Sequence, residues 1–200
     1  MKFAVLASGK GTNLQAILDA LKKKKIKASL KVVFSDRADA LALARAVKAN
    51  VPVVAHIPPK KFASREAFDE AVAEFLKKEG VSFVVLAGYM RILSPVFIRA
   101  FSGRILNIHP ALLPAFKGAH AIRDAFDYGV KIAGVTVHLV DEEVDHGPIV
   151  AQVPVEIAPK ETLASLENRI HKVEHLLYPK VIDGFARGKF KVAGRVVRGG

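Results

Sequence analysis

The sequence predicts an α/β fold: an open, mostly parallel twisted sheet, with an antiparallel hairpin and a long helix towards the C-terminal end. Three observations carry this expectation. Short apolar, β-branched runs alternate with amphipathic helical stretches over the first hundred or so residues, the order that builds parallel sheets. The first run passes through Ser8-Gly9-Lys10-Gly11-Thr12-Asn13 into a helical pattern, and strand, glycine loop, helix is how doubly wound sheets begin. Beyond the middle of the chain two β-rich runs follow each other directly, and the last long stretch has a helical period.

Each element can be justified in turn. Phe3–Ala7 is a short apolar strand, and Leu14, Ile17, Leu18 and Leu21 fall on one face of the helix after it. Leu30–Phe34 reads as the second strand and Ala38–Ala49 as an alanine-rich helix. Val51–His56 is a strand closed by Pro58-Pro59, and Ser64 caps a helix running to about Lys78. The third residue past that cap is Ala67, so the reciprocal glutamate of a capping box is missing. Val81–Ala87 is an apolar, β-rich run, as expected of a strand buried on both faces. Ser94-Pro95 opens a short helix, and Arg104–Ile108 is a strand leading into the proline-bracketed loop His109-Pro110-Ala111-Leu112-Leu113-Pro114. A short helix spans Ala121–Tyr128. Ala133–Val140 and Pro148–Ile157 pair as an antiparallel hairpin around the acidic turn Asp141 to Gly147. Thr162–Arg187 is a long amphipathic helix that Pro179 should kink or divide, and Phe190–Val197 reads as one last short strand. With no repeats, low-complexity tracts or linkers, residues 1–200 are expected to form a single domain.

Composition narrows the function. A chain that is 51% hydrophobic and 25% charged can bury a core. The absence of cysteine removes disulfide scaffolds, thiolate nucleophiles, zinc–cysteine sites and iron–sulfur clusters together. The chain opens without a signal peptide, and no apolar run approaches the ~18 residues a membrane span needs, so a cytoplasmic protein is expected. Lys and Arg number 31 against 19 acids, a net +12, which calls for an anionic partner: nucleic acid, or small phosphorylated or carboxylated molecules.

Four groups of residues carry chemistry. Gly9 and Gly11 let a strand turn directly into a helix, leaving the first amides free to bind a phosphate. A side chain at position 11 is expected to stand where that phosphate approaches. The loop is no Walker motif, because Lys10 lies between the glycines, and Leu14 stands where a dinucleotide fingerprint has its third glycine. Asp36 lies near where the ribose-binding acid of a dinucleotide fold would be sought. Asn107 and His109 alternate along a strand and so point the same way at its carboxyl end, where an amide and an imidazole can stabilise an oxyanion and exchange a proton. A carboxylate beside His109 would fix its tautomer and favour its charged form, and Asp141, Glu142, Glu143 and Asp145 all compete for that place. Finally, His171-Lys172-Val173-Glu174-His175 matches an inverted zinc-protease pattern, but the only acid downstream to serve as a third ligand is Asp183. The simpler reading is an amphipathic helix with Glu174 free for substrate contact. The basic residues Arg187, Lys189, Lys191, Arg195 and Arg198 form a C-terminal stretch that either touches anions or keeps the chain soluble.

Six segments in order, VLASGKGTNLQAI from Val5, SREAFD from Ser64, VVLAGYMRILSP from Val84, ILNIHPALLPAFKG from Ile105, GVTVHLVDEEVDHGPIV from Gly134 and EHLLYP ending at Pro179, resemble the glycinamide ribonucleotide formyltransferases of purine biosynthesis. The resemblance implies a Rossmann-like formyltransferase fold. It also implies transfer of a formyl group from 10-formyltetrahydrofolate, a cosubstrate, to the amine of 5′-phosphoribosylglycinamide, with no metal and no covalent enzyme intermediate. Gly11, Thr12 and Asn13 would hold the phosphate, and Asn107, His109 and Asp145 look like the catalytic trio. Arg65 and Met90, Arg91, Ile92 and Leu93 resemble the folate-binding positions, with Asn107 and the loop of Asp141, Glu142, Glu143, Val144 and Asp145 lining the pterin pocket. Glu174 and His171 match the place where the last helix contacts the ribonucleotide, whereas His138 reads as structural. Ala111 stands where many relatives carry serine, a small-for-small change. The expected partners are these small molecules, with no nucleic acid or membrane, in a monomer or homodimer. Methionyl-tRNA formyltransferases share the trio but add a C-terminal tRNA-binding domain. A non-enzymatic nucleotide-binding module would leave Asn107, His109 and Asp145 unexplained.

Overall fold

Parallel pairing governs the first half of the chain, because each strand there is followed by a segment that carries it back across the sheet. The computed structural model describes residues 1–199. The elements run β1 (Lys2–Leu6), α1 (Thr12–Lys22), β2 (Ser29–Ser35), α2 (Leu41–Lys48), β3 (Val53–His56), α3 (Arg65–Lys78), β4 (Phe83–Leu86), α4 (Pro95–Ala100), β5 (Ile105–His109), α5 (Ala121–Tyr128), β6 (Ile132–Leu139), β7 (Ile149–Glu156), α6 (Leu163–Ala186), β8 (Lys191–Ala193) and β9 (Val196–Arg198), with one 3-10 turn at Pro59–Lys61. Among the described residues these strands form one sheet in the order β3-β2-β1-β4-β5-β6-β7-β9-β8. Pairing is parallel from β3 through β5 and antiparallel at β5–β6 and β6–β7. The open, mostly parallel sheet, the antiparallel hairpin and the long final helix expected from the sequence are all present. Between β1 and β4 the chain reverses its direction of travel across the sheet, and such switch points open a crevice at the carboxyl ends of the strands.

Both faces of the parallel strands are covered, which is why their central residues are mostly apolar. Phe3, Val5, Val85, Leu106 and Ile108 pack against Leu14 and Ile17 of α1, Ala42 and Ala46 of α2, and Leu166, Ile170 and Tyr178 of α6. The alternate positions Ala4, Leu6, Val32, Phe34, Val84 and Ile105 pack against Phe68, Val72 and Leu76 of α3 and Phe97 of α4. Ser64 caps α3 as expected, its hydroxyl accepting from the Ala67 amide at 3.1 Å.

Two expectations need correction. Pro179 does not divide the last helix: α6 is continuous over Leu163–Ala186. Proline removes one ladder hydrogen bond, but tertiary contacts hold the helix at that point. The Tyr178 hydroxyl donates to the carbonyls of Leu86 (2.8 Å) and Leu106 (3.0 Å), and Val181 and Ile182 are buried beyond it. Phe190–Val197 is not a single strand but the hairpin of β8 and β9, turned at Gly194-Arg195, with β9 meeting β7 at Ile149↔Val196.

Candidate active site

The glycine loop leaves β1 and ends at Gly11, the N-cap of α1, whose φ of +69° lies in the left-handed region glycine tolerates. Among the described residues α1 has no side-chain cap and no acid in its first turn, so its leading amides keep their partial positive charge for an external anion. The loop is clamped from the side by α2. The Ala42 amide donates to the Gly9 carbonyl (3.1 Å) and Arg45 Nε donates to the Lys10 carbonyl (2.9 Å). A Cβ at Gly11 would lie 2.8 Å from Cα of Ala42. The side chain expected to block the phosphate would therefore strike α2 instead, and glycine is required at 11 by the close approach of the two helices.

Thr12 is exposed at the start of α1, and Asn13 turns towards α6. Asn13 Nδ2 donates to Glu174 Oε2 (3.2 Å), and His171 Nδ1 donates to the same oxygen (2.9 Å). The residues expected at the ribonucleotide end thus come together. Glu174 is held there by Tyr178, one helical turn along α6, which ties the helix to the ends of β4 and β5. The hydrogen bond to Glu174 favours the charged form of His171, raising its pKa above the ordinary 6.5 against the opposing effect of burial. Asn13 Oδ1 is buried without a partner among the described residues, an acceptor open to a ligand hydroxyl or amine.

Asn107 and His109 lie at the end of β5 on the face opposite Leu106 and Ile108, as alternation requires. Beside them on β6, His138 is paired with Asn107 and Thr136 with His109. His138 Nδ1 donates to the Leu139 carbonyl (2.8 Å), so its Nε2 is the acceptor for Asn107 Nδ2 at 3.1 Å. That contact orients the Asn107 amide and uses one of its two hydrogens, leaving the second for a reacting oxygen. His109 is buried. Its Nε2 donates to the Phe116 carbonyl (2.8 Å), and its Nδ1 faces Asp145 Oδ2 at 3.5 Å.

Of the four acids between 141 and 145, Asp145 is the one paired with His109 among the described residues. It sits at φ +47°, a conformation aspartate tolerates better than most residues, and its Oδ2 accepts from the Gly118 amide at 2.8 Å. Burial alone would raise its pKa. Contacts with the Gly118 amide and His109 outweigh burial and hold the carboxyl at about 2. The sign follows from linkage: a pKa below the ordinary 3.8 means that folding favours the ionised form, a contribution full above about pH 4 and lost as pH falls to about 2. A depression of that size corresponds to ~2 kcal/mol. Asp145→Asn should accordingly be less stable than the parent at neutral pH, with the gap narrowing between about pH 5 and about pH 2 in urea unfolding. A gap that does not change with pH would remove the charge from the account.

The expected folate positions flank this centre. Met90 and Ile92 are 71% and 58% exposed, and Val144 on the neighbouring loop is also exposed. Large apolar side chains left open on adjacent segments mark a surface for an apolar ligand. Leu93 is buried and anchors the segment, together with Val140, in the core beside Phe97. The Arg91 guanidinium lies 4.8 Å over the Phe68 ring, with its Nε buried and unpaired among the described residues. Arg65, at the start of α3, pairs with Glu66 at 3.2 Å and remains exposed. Asp141 accepts from His146 Nδ1 (2.8 Å), Glu142 pairs with Arg99 on α4 (3.8 Å), and Glu143 is exposed.

Several supporting residues escaped the sequence reading. The Thr136 hydroxyl donates to the Ala111 carbonyl (2.6 Å) and accepts from the Leu113 amide (3.1 Å), while Gln152 Nε2 donates to the Leu113 carbonyl (3.0 Å). Together they lock the loop after His109 onto β6 and β7. The signal was available: Thr136, His138 and Gln152 are polar interruptions in strands otherwise rich in valine and alanine. Phe116 and Gly118 contribute backbone groups alone, which no sequence pattern announces. Asp36, a candidate ribose-binding acid by its place in the sequence, accepts the Ser8 hydroxyl at 2.6 Å, and Ser8 Oγ accepts the Met90 amide at 2.9 Å, so it anchors the Met90–Leu93 segment beside the end of β1. The zinc pattern gathers no metal site: among the described residues no group of three or more His, Asp or Glu side chains is placed to hold a metal ion.

Comparisons with known proteins place the chain in a family. The model of the formyl transferase family matches residues 1–182. The phosphoribosylglycinamide formyltransferase of Bacillus subtilis is 46% identical over 181 residues, covering 90% of this chain and 92% of its own. That of Escherichia coli is 43% identical over 192 residues, covering 96% and 90%. The crystal structure of glycinamide ribonucleotide transformylase 1 from Symbiobacterium toebii superposes with a TM-score of 0.96 at 49% identity, over 100% of this chain and 93% of that one. A family model matched over residues 1–182 and relatives more than 40% identical over nine-tenths of each chain show that the chain belongs to the formyl transferase family.

Proposed function

We propose that the protein transfers the formyl group of 10-formyltetrahydrofolate to the amine of 5′-phosphoribosylglycinamide; the names of its relatives give the group transferred and the acceptor. The observation that carries this reading is the Asn107–His109–Asp145 cluster, in which a carboxylate with a pKa of about 2 faces a buried imidazole beside an oriented amide. The amine nitrogen attacks the formyl carbon, giving a tetrahedral centre with a negative oxygen. The remaining amide hydrogen of Asn107 and the imidazolium of His109 stabilise that oxygen. Asp145, an anion at working pH, sustains the imidazolium and passes the proton released by the amine, through water, to the departing folate nitrogen as the carbon–nitrogen bond breaks. Gly11, Thr12 and Asn13 hold the substrate phosphate, Glu174 and His171 the ribonucleotide, and Arg65, the Met90–Leu93 segment and the 141–145 loop the folate. A formyl-transfer assay with both substrates tests the reading directly: production of formylglycinamide ribonucleotide is expected, and its absence from folded protein overturns the proposal.

The net charge of +12 is the feature that speaks for nucleic acid. Both proposed substrates are anionic, so a diffuse positive field serves their capture equally well. Raising salt from ~50 to ~200 mM should lower kcat/KM only a few-fold, whereas an interface of 6–10 phosphate contacts would lose roughly 10³–10⁵ in affinity. Filter binding with initiator tRNA at ~150 mM salt should give weak, unselective retention. Sub-micromolar, selective retention would instead favour a tRNA substrate.

A further inference from the structure

The basic C-terminal stretch is not a free tail. β9 extends the sheet beside β7, and the turn of its hairpin delivers Arg195 to the loop that carries Asp145. Arg195 Nη2 donates to the His146 carbonyl at 2.6 Å, and Nη1 lies 3.0 Å from His146 Nε2. His146 Nδ1 in turn donates to Asp141 Oδ2 at 2.8 Å, and Asp141 Oδ1 accepts from the Glu143 amide at 3.2 Å. The ring hydrogen sits on Nδ1, which donates to Asp141, while Arg195 Nη1, 3.0 Å from Nε2 and 3.4 Å from Nδ1, lies against the imidazole ring. One continuous chain of contacts therefore runs from Arg195 through His146 to the start of the 141–147 loop.

The loop has reason to need such a strap. Its Asp145 is in the left-handed region, uncommon for a residue other than glycine. At its far end Gly147 packs so closely on the Leu139 carbonyl that no side chain fits, and the Leu139 amide bonds the Pro148 carbonyl at 2.9 Å. Between these fixed points Glu143 and Val144 are exposed and Glu142 has only a surface ion pair with Arg99. The guanidinium adds a tie from the C-terminal hairpin at His146, beside those that Gly118 makes to Asp145 and Arg99 to Glu142, and a planar fork that meets a carbonyl and an imidazole together cannot be replaced by lysine.

We propose that Arg195 is a positioning residue for formyl transfer: by holding His146 and Asp141 it sets the 141–147 loop so that Val144 faces the folate and Asp145 faces His109. The inference rests on the reading of that loop as the folate side of the site. Arg195→Ala should raise amide hydrogen exchange of residues 142–147 about tenfold while leaving the strands of the sheet protected. In the formyl-transfer assay the folate KM should rise about five- to tenfold and kcat fall a few-fold, with the ribonucleotide KM within about twofold of the parent. Arg195→Lys should recover only part of the loss, and His146→Ala should reproduce it, since both break the same chain of contacts. Unchanged loop exchange in Arg195→Ala would overturn the proposal. So would equal rises in both KM values accompanied by faster exchange throughout β7 and β9, which would make the hairpin merely structural. If the parent protein transfers no formyl group, the functional reading fails while the exchange measurement still decides whether the strap exists.

Discussion

His109→Ala and Asp145→Asn are each expected to lower kcat by about 100-fold or more in protein that remains folded, the size usual for loss of a general acid–base or oxyanion-stabilising group. The two variants act on one unit. Removing the imidazole takes away the cation beside the developing oxyanion. Converting Asp145 to an amide leaves the imidazole in place but removes the half-buried anion 3.5 Å from Nδ1 that balances positive charge on the ring during transfer. The double variant should therefore lose little more than either single one, because residues acting as a unit are not additive. The carboxamide oxygen introduced by Asp145→Asn can still accept from the Gly118 amide, so the loop has no cause to rearrange. Neither KM should move in proportion to kcat. Near-normal turnover in folded Asp145→Asn protein would exclude the residue from the chemistry; Glu142 and Glu143 would be poor substitutes, since the one pairs with Arg99 and the other is exposed.

The parallel sheet was legible because both of its faces are buried, leaving uninterrupted apolar runs such as Val32–Phe34 and Phe83–Leu86 whose length and flanking turns define strands. Asn107 and His109 were legible as a pair for a simple reason: alternation along a strand is fixed by pleat geometry. Which acid joins them was not, since four carboxylates compete within five residues and the choice depends on the left-handed turn at Asp145 and on the Gly118 amide, a contact 27 residues away in sequence. The resemblance to a known family, not the spacing, selected Asp145, which in the structure lies 3.5 Å from His109. Pro179 misleads because local propensity carries no trace of the Tyr178 contacts that hold α6 against β4 and β5. The role of Arg195 was invisible for the same reason. Its partners lie 49 residues earlier, and among scattered cations nothing in sequence distinguishes it from Lys191 or Arg198.

Gly11→Val is expected to raise the ribonucleotide KM by at least about tenfold, the equivalent of ~1.4 kcal/mol, and to lower the melting temperature as well. The two effects share a cause: a residue other than glycine at φ +69° costs roughly 1–2 kcal/mol, and its Cβ must displace Ala42. Such a variant cannot by itself separate a loop that grips phosphate from one that only supports the fold. Gly9→Asp can. A Cβ at Gly9 meets nothing within 4 Å, the position is exposed, and its φ is not in the left-handed region. A carboxylate two residues before the N-cap of α1 interacts favourably with the helix dipole, so stability should hold or rise slightly. The same carboxylate opposes an incoming phosphate: like charges about 6 Å apart at an effective dielectric constant of about 20 repel by ~3 kcal/mol before screening. Ribonucleotide KM should therefore rise about tenfold or more while the folate KM stays within about twofold, and added salt should shrink the difference. Stability and binding then move in opposite directions, which a purely structural role for the loop cannot produce. An unchanged ribonucleotide KM in Gly9→Asp would locate the phosphate elsewhere.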